Sequence, residues 1–241
     1  MSALNTAALL TAWEEGALEP PVQKALALLA AARPETPAAE WARVPIGARD
    51  SALLDVQDMV FGSRLEATSV CPRCGERVEL AFSTDQIRTQ APPRQRVTVA
   101  TDGYEVECRP PNSEDLLELR RWPAEAAPSK LLMRCIERAS HDGCAATVDE
   151  LPPEVLRAVT GEIALADPQA EVKVAIECPE CGHLWRMDFD ITTYLWTELE
   201  DWAHRLLREV HALASAYGWS EREVLGMPAR RRGIYLEMVG G

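Results

Sequence analysis

Between positions 195 and 217, Leu195, Leu199, Trp202, Leu206, Val210, Leu213 and Tyr217 follow one another at steps of three and four. That is the period of one helix face, so a long helix is expected over residues 193–217, stopped by Gly218. Ser220 followed by Glu223 makes a capping box for a short helix, and Pro228 can open a last one. At the other end, residues 4–18 are rich in Ala and Leu, with Asn5 or Thr6 as N-cap. Pro20 and Pro21 break that helix, and Pro21 can begin the next, with Val22, Leu26 and Leu29 on one face. A third helix is expected over residues 48–61, where the polar Gln57 interrupts the apolar set Leu53, Leu54, Val56, Val60 and Phe61.

The period changes from helical to alternating in the middle of the chain. Residues 65–70 and 77–82 read as strands around Cys71-Pro-Arg-Cys74-Gly75. Residues 96–100 and 104–108 read as a hairpin with an Asp102-Gly103 turn. Asn112 or Ser113 can cap a helix near Glu114, with Asp115 in its first turn. Residues 128–166 read as helical, with Leu131, Leu132, Cys135 and Ile136 on one face, a polar loop at 140–147, and Val155, Leu156, Val159 and Ile163 pointing inward. The alternating unit then returns: residues 171–176, Cys178-Pro-Glu-Cys181-Gly182, and residues 184–189.

The repeated knuckle carries the chemistry. A Cys-x2-Cys turn places two thiolates on one side of an ion, and zinc prefers four soft sulfurs in a closed tetrahedron. The following glycine lets the chain turn so that backbone N–H groups face the sulfurs. Cys71, Cys74, Cys178 and Cys181 are therefore expected to bind one structural zinc ion, although 103 residues lie between Cys74 and Cys178. A redox-active pair would be followed by a helix start, whereas strands follow here. His183 could replace a ligand but is expected to point away, and Cys108 and Cys135 read as core residues. The fold class implied is α+β: mainly helical, with a small antiparallel zinc-ribbon core built from the two knuckles. The expected parts are a helical segment at 1–62, a split ribbon at 63–82 and 171–190, an insertion at 83–170, and C-terminal helices at 191–241.

Composition removes several functions. The 241-residue chain has a formal net charge of -13, which argues against a nucleic-acid or anionic-membrane partner. Its longest uninterrupted apolar run, residues 25–32, is far short of the roughly 20 residues a spanning helix needs. Residues 1–5 lack the look of a signal peptide, so a cytoplasmic location with reduced thiols is expected. There is no glycine-rich phosphate loop and no nucleophile elbow. Glu14-Glu15 and Glu198 with Glu200 and Asp201 read as solvated helix faces rather than catalytic groups, and His204 and His211, seven positions apart, are too far from each other to share one metal. No catalytic residue is expected.

Several stretches resemble a known family. Pro45-Ile-Gly-x-Arg49-Asp50-x-x-Leu53-Leu54, Phe61-Gly-x-Arg64-Leu65-Glu66 and the first knuckle resemble the N-terminal half of baseplate-associated proteins from contractile injection systems. Arg109-Pro-Pro-Asn112-Ser-x-Asp115-Leu116 resembles the opening of their middle helical part. Tyr217-x-Trp219-Ser-Glu-x-Glu223 and Pro228-x-Arg230-Arg-Arg-x-x-Tyr235 resemble their ending. That family is loosely grouped with T4-type phage baseplate hub assembly chaperones. The resemblance implies a non-enzymatic assembly factor or minor baseplate component of a phage-tail-like particle, whose partners are other baseplate or tail proteins. Trp196, Trp202, Trp219 and Tyr235 are candidate contacts, or simply core. The residues alone leave two rivals: a zinc-ribbon nucleic-acid or transcription-associated module, and a metalloenzyme.

Overall fold

The computed structural model describes residues 6–240. Among them the chain is mixed α/β, with helices, two-stranded antiparallel hairpins and one four-stranded sheet. It divides into two compact units. One holds the described residues up to Glu35 together with those from Thr192 onward, and the other runs from Thr36 to Ile191.

The first unit is helical. Helix α1 (Thr6–Gly16) buries Leu9, Leu10 and Ala12, and α2 (Pro21–Ala32) buries Ala25, Leu26, Leu28 and Leu29. Pro21 opens α2, where a missing N–H costs nothing. The possible N-cap Asn5 lies outside the described residues, and Thr6 is already helical. Helix α9 (Ile191–Tyr217) carries the long stripe, with Leu195, Leu199, Leu206, Val210 and Leu213 buried. Trp196 is buried too, and its ring closes against α1. A β-carbon at Gly16 would lie 2.5 Å from Trp196 Cη2, so only glycine allows this approach. Gly218, at φ 69°, ends α9 in the left-handed region. Helix α10 (Glu221–Leu225) starts in the expected capping box of Ser220 and Glu223. Helix α11 (Ala229–Gly240) packs Tyr235 and Leu236 on a small core of Val210, Leu213 and Val224.

The second unit contains a short helix α3 (Ala38–Trp41) and then α4 (Ile46–Val60). Gln57 does not interrupt the buried face of α4. It lies on that face, fully buried, with Nε2 donating to the Gly62 carbonyl. Strands β1 (Arg64–Val70) and β2 (Arg77–Ser83) form the first hairpin, followed by α5 (Thr84–Ile87). Strands β3 (Val97–Thr101) and β4 (Tyr104–Cys108) turn at Asp102 and Gly103, both at positive φ, as an Asp-Gly hairpin requires. Helix α6 (Ser113–Leu119) is capped by Asn112, which accepts from the Asp115 N–H.

Residues 128–166 differ from the helical expectation. Helix α7 (Ala127–Cys135) stops at Cys135, and Ile136 begins strand β5 (Ile136–His141). Strand β5 adds to β4, and β6 (Cys144–Ala145) lies inside the segment expected to be loop. Burial explains the switch: Ile136 and Ala139 join Val97, Val99, Val106 and Cys108 in a core that helix α8 (Pro153–Ala166) covers with Val155 and Val159. Sheet pairing outweighs the local helical spacing of Leu131, Leu132, Cys135 and Ile136. Strands β7 (Val172–Glu177) and β8 (Leu184–Phe189) make the last hairpin.

Candidate metal centre

Each knuckle is the turn of its hairpin. In the first, the Cys71 N–H donates to the Glu76 carbonyl and the Gly75 N–H to the Cys71 carbonyl, at 2.8 and 2.9 Å. In the second, Cys178 N–H donates to the His183 carbonyl and Gly182 N–H to the Cys178 carbonyl, at 2.9 and 3.0 Å. Gly75 and Gly182 sit at φ 79° and 65°, a conformation that a β-carbon would strain. Adding 107 to each residue number of the first knuckle gives the second, and the same shift carries the register of β1 and β2 onto that of β7 and β8. The two hairpins are thus copies of one local design. No strand ladder joins them among the described residues. The antiparallel core expected as one ribbon is two separate two-stranded sheets.

What joins them is the cysteines and the side chains beneath. The four Sγ atoms all lie within 4.8 Å of one another. Cys71 Sγ is 3.7 Å from Cys181 Sγ, and Cys74 Sγ is 3.5 Å from Cys178 Sγ. The pairing is reciprocal: the first cysteine of each knuckle faces the second of the other. A zinc ion bonded to four sulfurs at about 2.3 Å needs sulfurs about 3.8 Å apart, so the cluster has the size of a tetrahedral site. Cys71 and Cys178 are buried, Cys181 is half-buried and Cys74 is exposed. Val78 and Ile176 close the inner side, with Leu80, Trp185 and Met187 packed around them. All four cysteines are brought together. His183 lies outside the group, its ring stacked over Trp185.

The thiols cannot all ionise unaided. Desolvation opposes the Cys71 thiolate, but hydrogen bonds from the backbone of Cys74 and Arg73 and from the thiols of Cys74 and Cys178 outweigh it, lowering its pKa to about 7. Around Cys74 a backbone hydrogen bond at Glu76 favours the thiolate, yet desolvation and the three neighbouring sulfurs push the thiol up to about 12. A backbone hydrogen bond at His183 and the Cys74 thiol do not hold Cys181 down either; burial and the thiols of Cys178 and Cys71 raise it. One site thus holds a ready thiolate at Cys71 beside reluctant thiols at Cys74 and Cys181, and a central cation removes that conflict by stabilising every sulfur anion. Among the described residues this is the one group of His, Cys, Asp or Glu side chains with metal-binding geometry.

The other cysteines and the isolated candidates stay apart from it. Cys108 and Cys135 are buried in the second unit, and burial pushes their thiols up to about 11 and 12. His204 lies edge-on against Trp13, and His211 is exposed.

A second cluster escapes reasoning from motifs alone. Asp115, with its side chain 1% exposed, takes both guanidinium nitrogens of Arg109 at 2.6 and 3.0 Å and Nε of Arg134 at 2.9 Å. It also accepts the Asn112 N–H. Desolvation works against the carboxylate, but these partners win and hold its pKa below the usual carboxylate range. Nearby, the buried pair Arg49–Asp50 reaches Ser113 through Arg49 Nη1. Gly47 N–H donates to Asp167 Oδ2 at 2.8 Å, and a β-carbon at Gly47 would sit 2.1 Å from Asp167 Oδ1. The stretches around Pro45 and Arg109 therefore meet: the Ile46 N–H donates to the Pro111 carbonyl and the Glu114 N–H to the Ala42 carbonyl. Their conspicuous polar residues fasten these segments of the unit to one another.

Fold and centre together define a protein of helices and small sheets whose distinctive chemistry is a four-thiol cluster. Over residues 22–194 the chain matches the model of the family described as T4 bacteriophage base plate protein, and it belongs to that family. No match was found among curated proteins or among solved structures. No described helix is long and apolar enough to cross a membrane.

Proposed function

We propose that this chain does no chemistry on a substrate and serves as an assembly factor or minor component of the baseplate of a contractile, phage-tail-like injection system. The observation that carries this reading is the family match, which spans residues 22–194 and so encloses both knuckles. In it, Cys71, Cys74, Cys178 and Cys181 hold one structural zinc ion. Four thiols of tetrahedral size favour zinc, and four protein ligands leave no open position for a substrate or a water. Residues 63–82 and 171–190 act as a split zinc-ribbon core, and residues 83–170 are its insertion. The partners are other baseplate or tail proteins of the same particle.

Two experiments test the two halves separately. Deleting the coding sequence from a host that makes such particles is expected to abolish complete baseplates in electron micrographs, and fully formed, contracting particles would overturn the assembly role. Protein purified under reducing conditions is expected to carry one zinc per chain and to release four reactive thiols on chelation. Zinc-free protein of unchanged stability would overturn the metal role.

A further inference from the structure

The last helix, α11, has two faces, and among the described residues only one of them is packed against the rest of the chain. Its inner face is fixed by Arg232, which is buried, pairs with Glu209 at 3.0 Å and donates to the Met227 carbonyl at 2.8 Å. Tyr235 and Leu236 pack on the same side. The opposite face shows Arg230, Arg231, Ile234, Glu237 and Met238 to solvent. Ile234 is 46% exposed and Met238 66%, beside two arginines and a glutamate whose side chains have no ion pair among the described residues. Residues 195–240 also lie outside the family match.

The order of these residues is self-complementary. At about 100° per residue, with Ile234 at the centre, Arg230 and Glu237 fall at about −40° and −60°, on one flank. Met238 and Arg231 fall at about +40° and +60°, on the other. Arg230 and Glu237 are seven positions apart, as are Arg231 and Met238, which is heptad spacing. We propose that this face docks against the same face of a second copy of the chain, with the two α11 helices antiparallel about a two-fold axis at Ile234. The axis sets Ile234 against its mate, Arg230 of each copy beside Glu237 of the other, and Met238 along the Arg231 stem. Both ion pairs follow from one rotation, as a two-fold interface demands.

The face is small. A pair of single-helix stripes buries less than the roughly 1,200 Å² of a stable specific interface, so association is weak, with a dissociation constant of roughly 10–500 µM. Sedimentation velocity and light scattering on the full-length protein from about 10 µM to 1 mM cover that range. The weight-average mass is expected to rise from the 26.6 kDa of one chain toward twice that value. Ile234→Glu is expected to abolish the rise. Arg230→Glu and Glu237→Arg are each expected to weaken association about tenfold, because each sets like charges together twice, and the double swap is expected to restore most of it. Circular dichroism and melting checks that the variants stay folded, as their exposed positions imply. A single-chain mass at every concentration would overturn the proposal. So would a dimer insensitive to Ile234→Glu, or a double swap no better than the single ones.

Discussion

Phe82 and Phe189 meet edge to face, with ring centroids 5.4 Å apart and planes at 85°. They hold the same place in the two hairpins, near the strand ends farthest from the cysteine turns. The hairpins are thus pinned at two levels, by sulfur at the turns and by rings at the open ends. Phe82→Ala and Phe189→Ala are each expected to cost about 1–2 kcal/mol. A double-mutant cycle by denaturant unfolding is expected to show about 0.5–1.5 kcal/mol of coupling between them. Strictly additive costs would mean that the rings do not support one another.

The sulfur level lies at the opposite end of the hairpins. Cys178 is buried and sits 3.5 Å from Cys74. If the cluster holds zinc as proposed, Cys178→Ser removes one of its four ligands and leaves a hydroxyl among three thiols. A loss of about 3 kcal/mol, or ~10 °C in melting temperature, is expected. Chelation should lower the wild-type melting temperature toward the same value, while the variant should respond little.

Gly47 tests the close approach to Asp167. Gly47→Ala places a methyl group where Asp167 Oδ1 lies, and displacing that carboxylate also breaks its bond from the Gly47 N–H. A cost of about 2–4 kcal/mol is expected, read by chemical unfolding. Gly161, where a β-carbon meets nothing within 4 Å, serves as the control, and Gly161→Ala should stabilise its helix by up to ~1 kcal/mol.

Two buried carboxylates drive stability in opposite directions with pH. Desolvation raises Asp50 to about 6 despite Arg49, with Asp190 and Asp167 adding to the rise. The folded chain therefore holds that proton after the unfolded chain has released it. Stability from this group falls between about pH 4 and pH 6, by on the order of 2–3 kcal/mol, and is flat above. Asp115 is shifted the other way by Arg109 and Arg134, so its contribution is present above the ordinary carboxylate range and is lost as pH falls through its depressed value. Melting curves from pH 3 to 8 should lose the falling component in Asp50→Asn and the rising component in Asp115→Asn.

Asp115→Asn carries a further cost at neutral pH. It leaves Arg109 and Arg134 without their shared buried carboxylate, and about 1–3 kcal/mol is expected, because the arginine side chains are 26% and 41% exposed and regain water. A variant with wild-type stability at pH 7 would show that the arginines find other partners.

What could be read from the chain is what short-range pattern encodes. The Asp102-Gly103 turn, the Ser220–Glu223 capping box, the stripe of α9 and both cysteine knuckles are all local signatures. Contacts between distant residues left no such mark. Asp167 meets Gly47 from 120 positions away, and Arg134 reaches Asp115 from 19. Strand β5 was hidden for the same reason: its partner β4 lies about 30 residues earlier, and only pairing with it makes Ile136 extended rather than helical. Gln57 looked like a break in an apolar face because its amide hydrogen bond to the Gly62 carbonyl depends on how the helix ends.

The helical unit is built from both ends of the described chain, with the whole stretch from Thr36 to Ile191 threaded between its halves. On a ribosome adding about 5–20 residues per second, α1 and α2 emerge roughly 10–30 s before α9 exists. Leu9, Leu10, Leu28 and Leu29, fully covered in the finished protein, have nothing of their own unit's later helices to cover them in that interval. Slow translation, or a ribosome stalled in the middle of the message, prolongs that exposure, so nascent-chain binding by a holdase chaperone should concentrate on these first two helices.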